Sequence, residues 1–160
     1  MGFDSERLLR ALIDADFEFV VIGGAAALAH GALTPTRDLD VAAPLTEHNL
    51  ARLLAALEPF RPHHATRPDL GVVWQTPAEL KRFRLLLLDT ELGRLDVLGT
   101  VEPIGGFDAL ESVEMSLIPN TPVRVLSLDQ LIEVKAHLRR PKDKIVEAEL
   151  RSIRALDQAR

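Results

Sequence analysis

FEFVVIGGAAALAHGALTPTRDLDVAA, residues 17–43, decides the fold. Phe17, Phe19, Val20, Val21 and Ile22 make a short β-branched and aromatic run that stops at Gly23 and Gly24, which predicts a buried strand. AAALAH predicts a short helix starting at that glycine turn and closed by Gly31; ALTPTR then turns the chain, and DLDVAA reads as a second strand. Within that strand Asp38 and Asp40 flank Leu39. Residues i and i+2 of a strand point to one face, about 6 to 7 Å apart, so the two carboxylates converge on one hard cation while Leu39 and Val41 face the core.

A third carboxylate follows the same logic. Asp96, in GRLDVLG, lies between Leu95 and Val97 on another apolar strand. Three carboxylates on neighbouring strands repel one another, and burial worsens the repulsion until protons or metal ions neutralise them. All-oxygen ligation suits Mg²⁺ or Mn²⁺, and two such ions about 4 Å apart activate an attacking hydroxyl and steady a leaving pyrophosphate. Gly23 and Gly24 sit where backbone N–H groups approach phosphate oxygens at a helix N-terminus. The spacing is neither a Rossmann fingerprint nor a Walker loop.

Outward from this stretch, DSERLLRALIDAD predicts an amphipathic helix with Asp4 or Ser5 as N-cap, and Leu50, Leu53, Leu54 and Leu57 mark a helix over 46–58 capped by Thr46. Residues 59–81, punctuated by prolines, read as loops with short strands. FRLLLLDT and GRLDVLGT, separated by Glu91 and Leu92, predict a hairpin. SVEMSLI and VRVL add edge pairings. Two helices close the chain: Ser127 with Gln130 fits a capping box for the first, and Pro141 opens the second. Leu128, Leu131, Ile132 and Leu138 mark the buried stripe of the first, and Lys135 falls on that stripe, either snorkelling to the rim or reaching a phosphate or carboxylate. Asp143 reads as a structural acid of the second helix's first turn, Arg139, Arg140 and Lys142 as a solvated basic edge, His30 as a helix C-terminal residue that satisfies a free carbonyl, and His63 and His64 as solvated.

The chain has 160 residues with 47% apolar and 27% charged positions, the balance of one ordinary globular domain spanning 1–160, with a core over 17–126 and a helical segment over 127–158. A net charge of -5 argues against a dedicated nucleic-acid binder. The charge is uneven, however: residues 135–160 and the segment 60–84 are basic, and a metal-loaded acidic site between them could accept a polyanion. The absence of cysteine removes disulfides and thiolate chemistry. No apolar run has the length of a membrane span and the first residues lack a signal-peptide pattern, so the expectation is a cytoplasmic protein without membrane contact.

The chain resembles the minimal nucleotidyltransferases of the DNA polymerase β superfamily, in particular the small bacterial group that includes abortive-infection, toxin–antitoxin type enzymes. The matching residues are Gly23, Gly24, His30, Gly31, Thr36, Asp38, Asp40 and Asp96, and VRVLSLDQLIEVKAHLRRPKDK resembles the group's closing segment. The arginine usual four residues before the first aspartate is Thr34 here, with Arg37 nearby. The resemblance implies an α/β (α+β) fold, a small twisted mixed or antiparallel sheet backed by helices. It also implies transfer of a nucleoside monophosphate from an NTP to an acceptor hydroxyl. Asp38, Asp40 and Asp96 are then catalytic and metal-binding, with two Mg²⁺ or Mn²⁺ ions when NTP is bound, and Gly23, Gly24, Thr36, Arg37 and Lys135 contact the nucleotide. The acceptor is left open among tRNA, a protein and a small molecule such as an aminoglycoside. Two other readings stand beside this one: a catalytically silent module of the same fold that binds nucleotide or a partner protein, and a structural interaction domain whose three aspartates are dispersed.

Overall fold

The computed structural model describes residues 3–160. In chain order the elements are α1 (Ser5–Asp14), β1 (Val20–Ile22), α2 (Gly23–His30), β2 (Asp38–Ala42), α3 (Glu47–Leu57), β3 (His63–His64), α4 (Pro77–Leu80), β4 (Leu85–Thr90), β5 (Gly93–Leu98), β6 (Thr100–Val101), β7 (Gly105–Gly106), β8 (Ser112–Ile118), β9 (Thr121–Leu126), α5 (Leu128–Leu138) and α6 (Pro141–Gln158). Asp4 caps α1 and Thr46 caps α3, each side chain accepting a bond from a first-turn backbone N–H.

Seven strands form one mixed sheet in the order β3-β4-β5-β2-β1-β9-β8. Two of its pairings are parallel, β2 with β5 and β1 with β9, and the rest are antiparallel. The expected hairpin is β4–β5, turning at Glu91 and Leu92. The C-terminal strand runs are not both edge additions: β8 is an edge, but β9 lies inside the sheet because it pairs with β8 on one side and β1 on the other.

The strand residues alternate across the sheet. On β2 and β5, Leu39, Val41, Leu95 and Val97 are fully buried in the core, whereas Asp38, Asp40, Arg94 and Asp96 share the other face. Buried Leu8 and Leu12 of α1 and Leu50, Leu53 and Leu57 of α3 belong to the same core. Gly31 ends α2 with φ +115°, a left-handed conformation that favours glycine.

Four local readings change. Ser127 caps α5 by accepting from Gln130 N, but the Gln130 side chain turns away to Ala109 O and Glu111 N, so the reciprocal half of the box is absent. His64 is buried, its Nε2 3.0 Å from Gln75 Oε1 and its ring stacked on Phe83. Leu138 is 42% exposed at the end of α5. His30 does meet a carbonyl, but that of Leu126 at the end of β9 rather than one of its own helix, at 2.8 Å. No helix among the described residues is long and apolar enough to cross a membrane.

Candidate active site

Parallel pairing of β2 with β5 sets Asp38 beside Arg94 and Asp40 beside Asp96. Asp38, Asp40 and Asp96 each offer a carboxylate oxygen, and these oxygens lie within 4.8 Å of one another. The dispersed arrangement required by a purely structural domain is therefore overturned. Burial pushes the Asp40 carboxyl up to about 7, with the Asp38 and Asp96 charges adding to the rise and Lys135 opposing it. Holding a proton near neutrality, chiefly through burial and the two neighbouring anions and against the pull of Lys135, marks Asp40 as the member of the cluster whose charge a cation would most relieve. That donor set, all oxygen and partly open, fits a hard divalent cation.

The glycine turn makes room for this cluster. Gly23 has φ +63°, and a Cβ there would stand 2.3 Å from Asp40 Oδ2. A Cβ on Gly24 would stand 2.8 Å from Thr36 Cβ. Thr36 in turn donates from its hydroxyl to the Asp38 carbonyl at 3.2 Å, with Asp38 Oδ1 at 3.4 Å, which fixes the approach to the first carboxylate. Gly23→Ala is expected to displace the Asp40 carboxylate and weaken Mn²⁺ binding about tenfold or more, measured by calorimetry. Unchanged affinity would contradict this role of the turn.

Four charged groups complete the surroundings. Lys135, 7% exposed, donates to Asp143 Oδ1 at 3.1 Å, which settles its partner as a carboxylate. Arg140 donates from Nε to Asp143 Oδ2 at 2.6 Å, so it is held rather than a free basic edge. Asp143 is 1% exposed. Burial alone would raise its pKa, but the bonds from Arg140 and Lys135 win and hold it below the usual carboxylate range. Arg94, which spacing did not single out, donates from Nε to Asp96 Oδ1 at 2.7 Å. The signal was available: Arg94 and Asp96 are i and i+2 on one strand, like Asp38 and Asp40.

Two cavities meet at this cluster. One of about 500 Å³ is lined by Gly24, Thr34, Thr36, Asp38 and Lys142 among others, and a larger one of about 760 Å³ runs between β4, β5 and α5; both include Asp40, Asp96, Lys135 and Arg140. Gly23 lines the larger cavity. Arg37 is exposed in the turn before β2 and lines neither cavity. Thr34, where the resembled group has an arginine, bonds Glu149 of α6 through its hydroxyl, and Leu33 N also donates to Glu149, at 2.5 Å. Glu149 is the residue that sequence reading missed outright, because its partner loop is more than a hundred positions away.

No protein-family model matches the sequence, and no curated protein matches it. Among solved structures, the chain is similar to a solution structure of the antibiotic-resistance factor ANT(2'')-Ia, at 16% identity and a TM-score of 0.56, covering 96% of this chain and 88% of that one. It is similar too to a crystal structure of ANT(2'')-Ia in complex with adenylyl-2''-tobramycin, at 15% identity and a TM-score of 0.55, covering 96% of this chain and 94% of that one. These likenesses show that the chain shares its fold, a mixed sheet backed by helices, with the ANT(2'')-Ia structures.

Proposed function

We propose that this chain is a divalent-metal-dependent nucleotidyltransferase that moves a nucleoside monophosphate from an NTP to an acceptor hydroxyl. The observation that carries the reading is the convergence of Asp38, Asp40 and Asp96 beside the Gly23–Gly24 turn. The shared fold supports it, since one ANT(2'')-Ia structure holds adenylyl-2''-tobramycin, a nucleotide joined to an acceptor. The matching His30–Gly31 and the RRPKDK turn support a place near the toxin–antitoxin type group.

In this reading Asp38 and Asp40 hold the Mg²⁺ or Mn²⁺ ions, and Asp96 completes the set on the acceptor side. A bound divalent ion supplies Lewis acidity at the phosphoryl oxygens. Gly23 and Gly24 leave space for the β and γ phosphates, and Thr36 keeps Asp38 aimed. Lys135 and Arg140, already positioned by Asp143, balance charge that builds on the phosphates. The acceptor oxygen bonds to the α-phosphorus, the bond from that phosphorus to the bridging oxygen breaks, pyrophosphate leaves, and the hydroxyl proton passes to Asp96. Arg37 reaches a triphosphate only from outside the cavities and contributes less.

The test incubates the protein with each α-labelled NTP, Mg²⁺ and candidate acceptors, including a cell extract. Label is expected in an acceptor with wild type and to fall about a thousandfold with Asp38→Asn. Equal labelling by both proteins would sink the proposal. The tie between Thr34 and Glu149, in place of a loop arginine, favours one second reading, a silent module of the same fold. Metal and nucleotide binding without turnover on any acceptor would select it.

A further inference from the structure

The larger cavity differs in character from the smaller one. Triphosphate needs cations and backbone N–H groups; the smaller cavity offers Gly24, Thr36 and Lys142, with Lys135 and Arg140 on the boundary that the two cavities share. The larger one, about 760 Å³, is walled mainly by apolar side chains such as Leu45, Leu87, Val101, Leu131 and Val134. Three of the chain's exposed large apolar residues, Phe83, Leu85 and Leu138, each 42% exposed, also line it. Apolar groups gathered on a cavity that opens onto reactive carboxylates mark a site for an apolar ligand body.

Its charge excludes one class of acceptor. Apart from Asp40 and Asp96, which bound metal ions would occupy, the one acid lining it among the described residues is Glu102, whose side chain is 79% exposed to solvent, with His137 3.7 Å away. Arg84, Lys135 and Arg140 add positive charge. With metal ions on Asp40 and Asp96, a polycation finds only the solvent-exposed Glu102 for its several ammonium groups, and their desolvation against leucines goes largely uncompensated.

We infer that this cavity is the acceptor subsite and that its ligand is a small hydroxyl compound with an apolar body and no positive charge, not a polycationic aminoglycoside. That the ligand is an acceptor rests on the nucleotidyl-transfer reading, and the exclusion of polycations rests on that reading's metal ions at Asp40 and Asp96; the apolar wall does not.

The test is a binding measurement that needs no turnover. The apolar anion 8-anilinonaphthalene-1-sulfonate and, separately, tobramycin are titrated into the full chain with Mg²⁺ and a non-hydrolysable NTP analogue. The sulfonate probe is expected to bind about tenfold or more tightly than tobramycin, and to weaken about tenfold in Leu85→Glu and in Leu138→Glu. Both positions are exposed enough to carry a glutamate without unfolding the chain. Nucleotide affinity is expected to stay within about twofold of wild type in both variants. Tobramycin binding as tight as the probe, or probe binding unchanged in both variants, overturns the ligand class. A parallel loss of nucleotide affinity overturns the acceptor assignment and makes the cavity a nucleoside subsite. A chain that transfers no nucleotide yet shows the expected selectivity defeats the functional proposal alone.

Discussion

Asp40→Asn is expected to make the metal-free protein more stable while abolishing transfer. In the folded chain Asp40 keeps a proton up to about pH 7, against 3.8 for an unperturbed carboxyl, because burial and the Asp38 and Asp96 charges disfavour its ionised form. The unfolded chain therefore releases that proton first, and metal-free wild type loses stability as pH rises from about 4 to about 7 and levels off above. Asparagine carries no charge to bury, so the variant lacks that slope. At pH 8 it should gain about 2 kcal/mol, a rise of roughly 4–8 °C in melting temperature for a chain of this size. Saturating Mg²⁺ should reverse the order, stabilising wild type and leaving the variant unmoved. Thermal melts across pH with and without Mg²⁺ check both parts; a variant less stable than metal-free wild type at pH 8 would contradict the description of the cluster.

Asp143→Ala is expected to act in the opposite direction. It removes the carboxylate that the Lys135 ammonium, 7% exposed, bonds directly, leaves it only the longer-range charge of Asp40, and frees Arg140. Breaking one side of a buried pair costs about 3–5 kcal/mol, because the remaining charge is left without a partner. The melting temperature should fall by roughly 10 °C. The double change Lys135→Met with Asp143→Leu removes both buried charges and should recover much of the loss in denaturant unfolding, though not transfer. A double variant as unstable as Asp143→Ala would show that the cost comes from packing rather than from the stranded charge.

These two residues mark the boundary of what the amino-acid order reveals. Asp38, Asp40 and Asp96 were legible because a period of two on apolar strands puts alternate side chains on one face, a local property. Gly23 was legible because a strand must end somewhere, and only glycine accepts both the positive φ and the closeness of Asp40. The parallel register that brings Asp96 beside Asp40 joins strands separated by α3, β3, α4 and β4, and no local pattern encodes it. The same holds for Asp143. Its place in the first turn of α6 suggested a helix-dipole role, whereas tertiary packing makes it the shared anchor of Lys135 and Arg140. Gln130 and Leu138 departed from local rules for the same reason: a backbone partner in the loop before β8 drew one side chain away, and the opening of the larger cavity exposed the other.

The most direct measurement titrates Mn²⁺ into wild type and Asp38→Asn in the presence of a non-hydrolysable NTP analogue, reading bound ion by electron paramagnetic resonance. The account predicts two ions per wild-type chain, displaced by Mg²⁺, and their loss in the variant. No tight Mn²⁺ in wild type, or the same occupancy in Asp38→Asn, would contradict it.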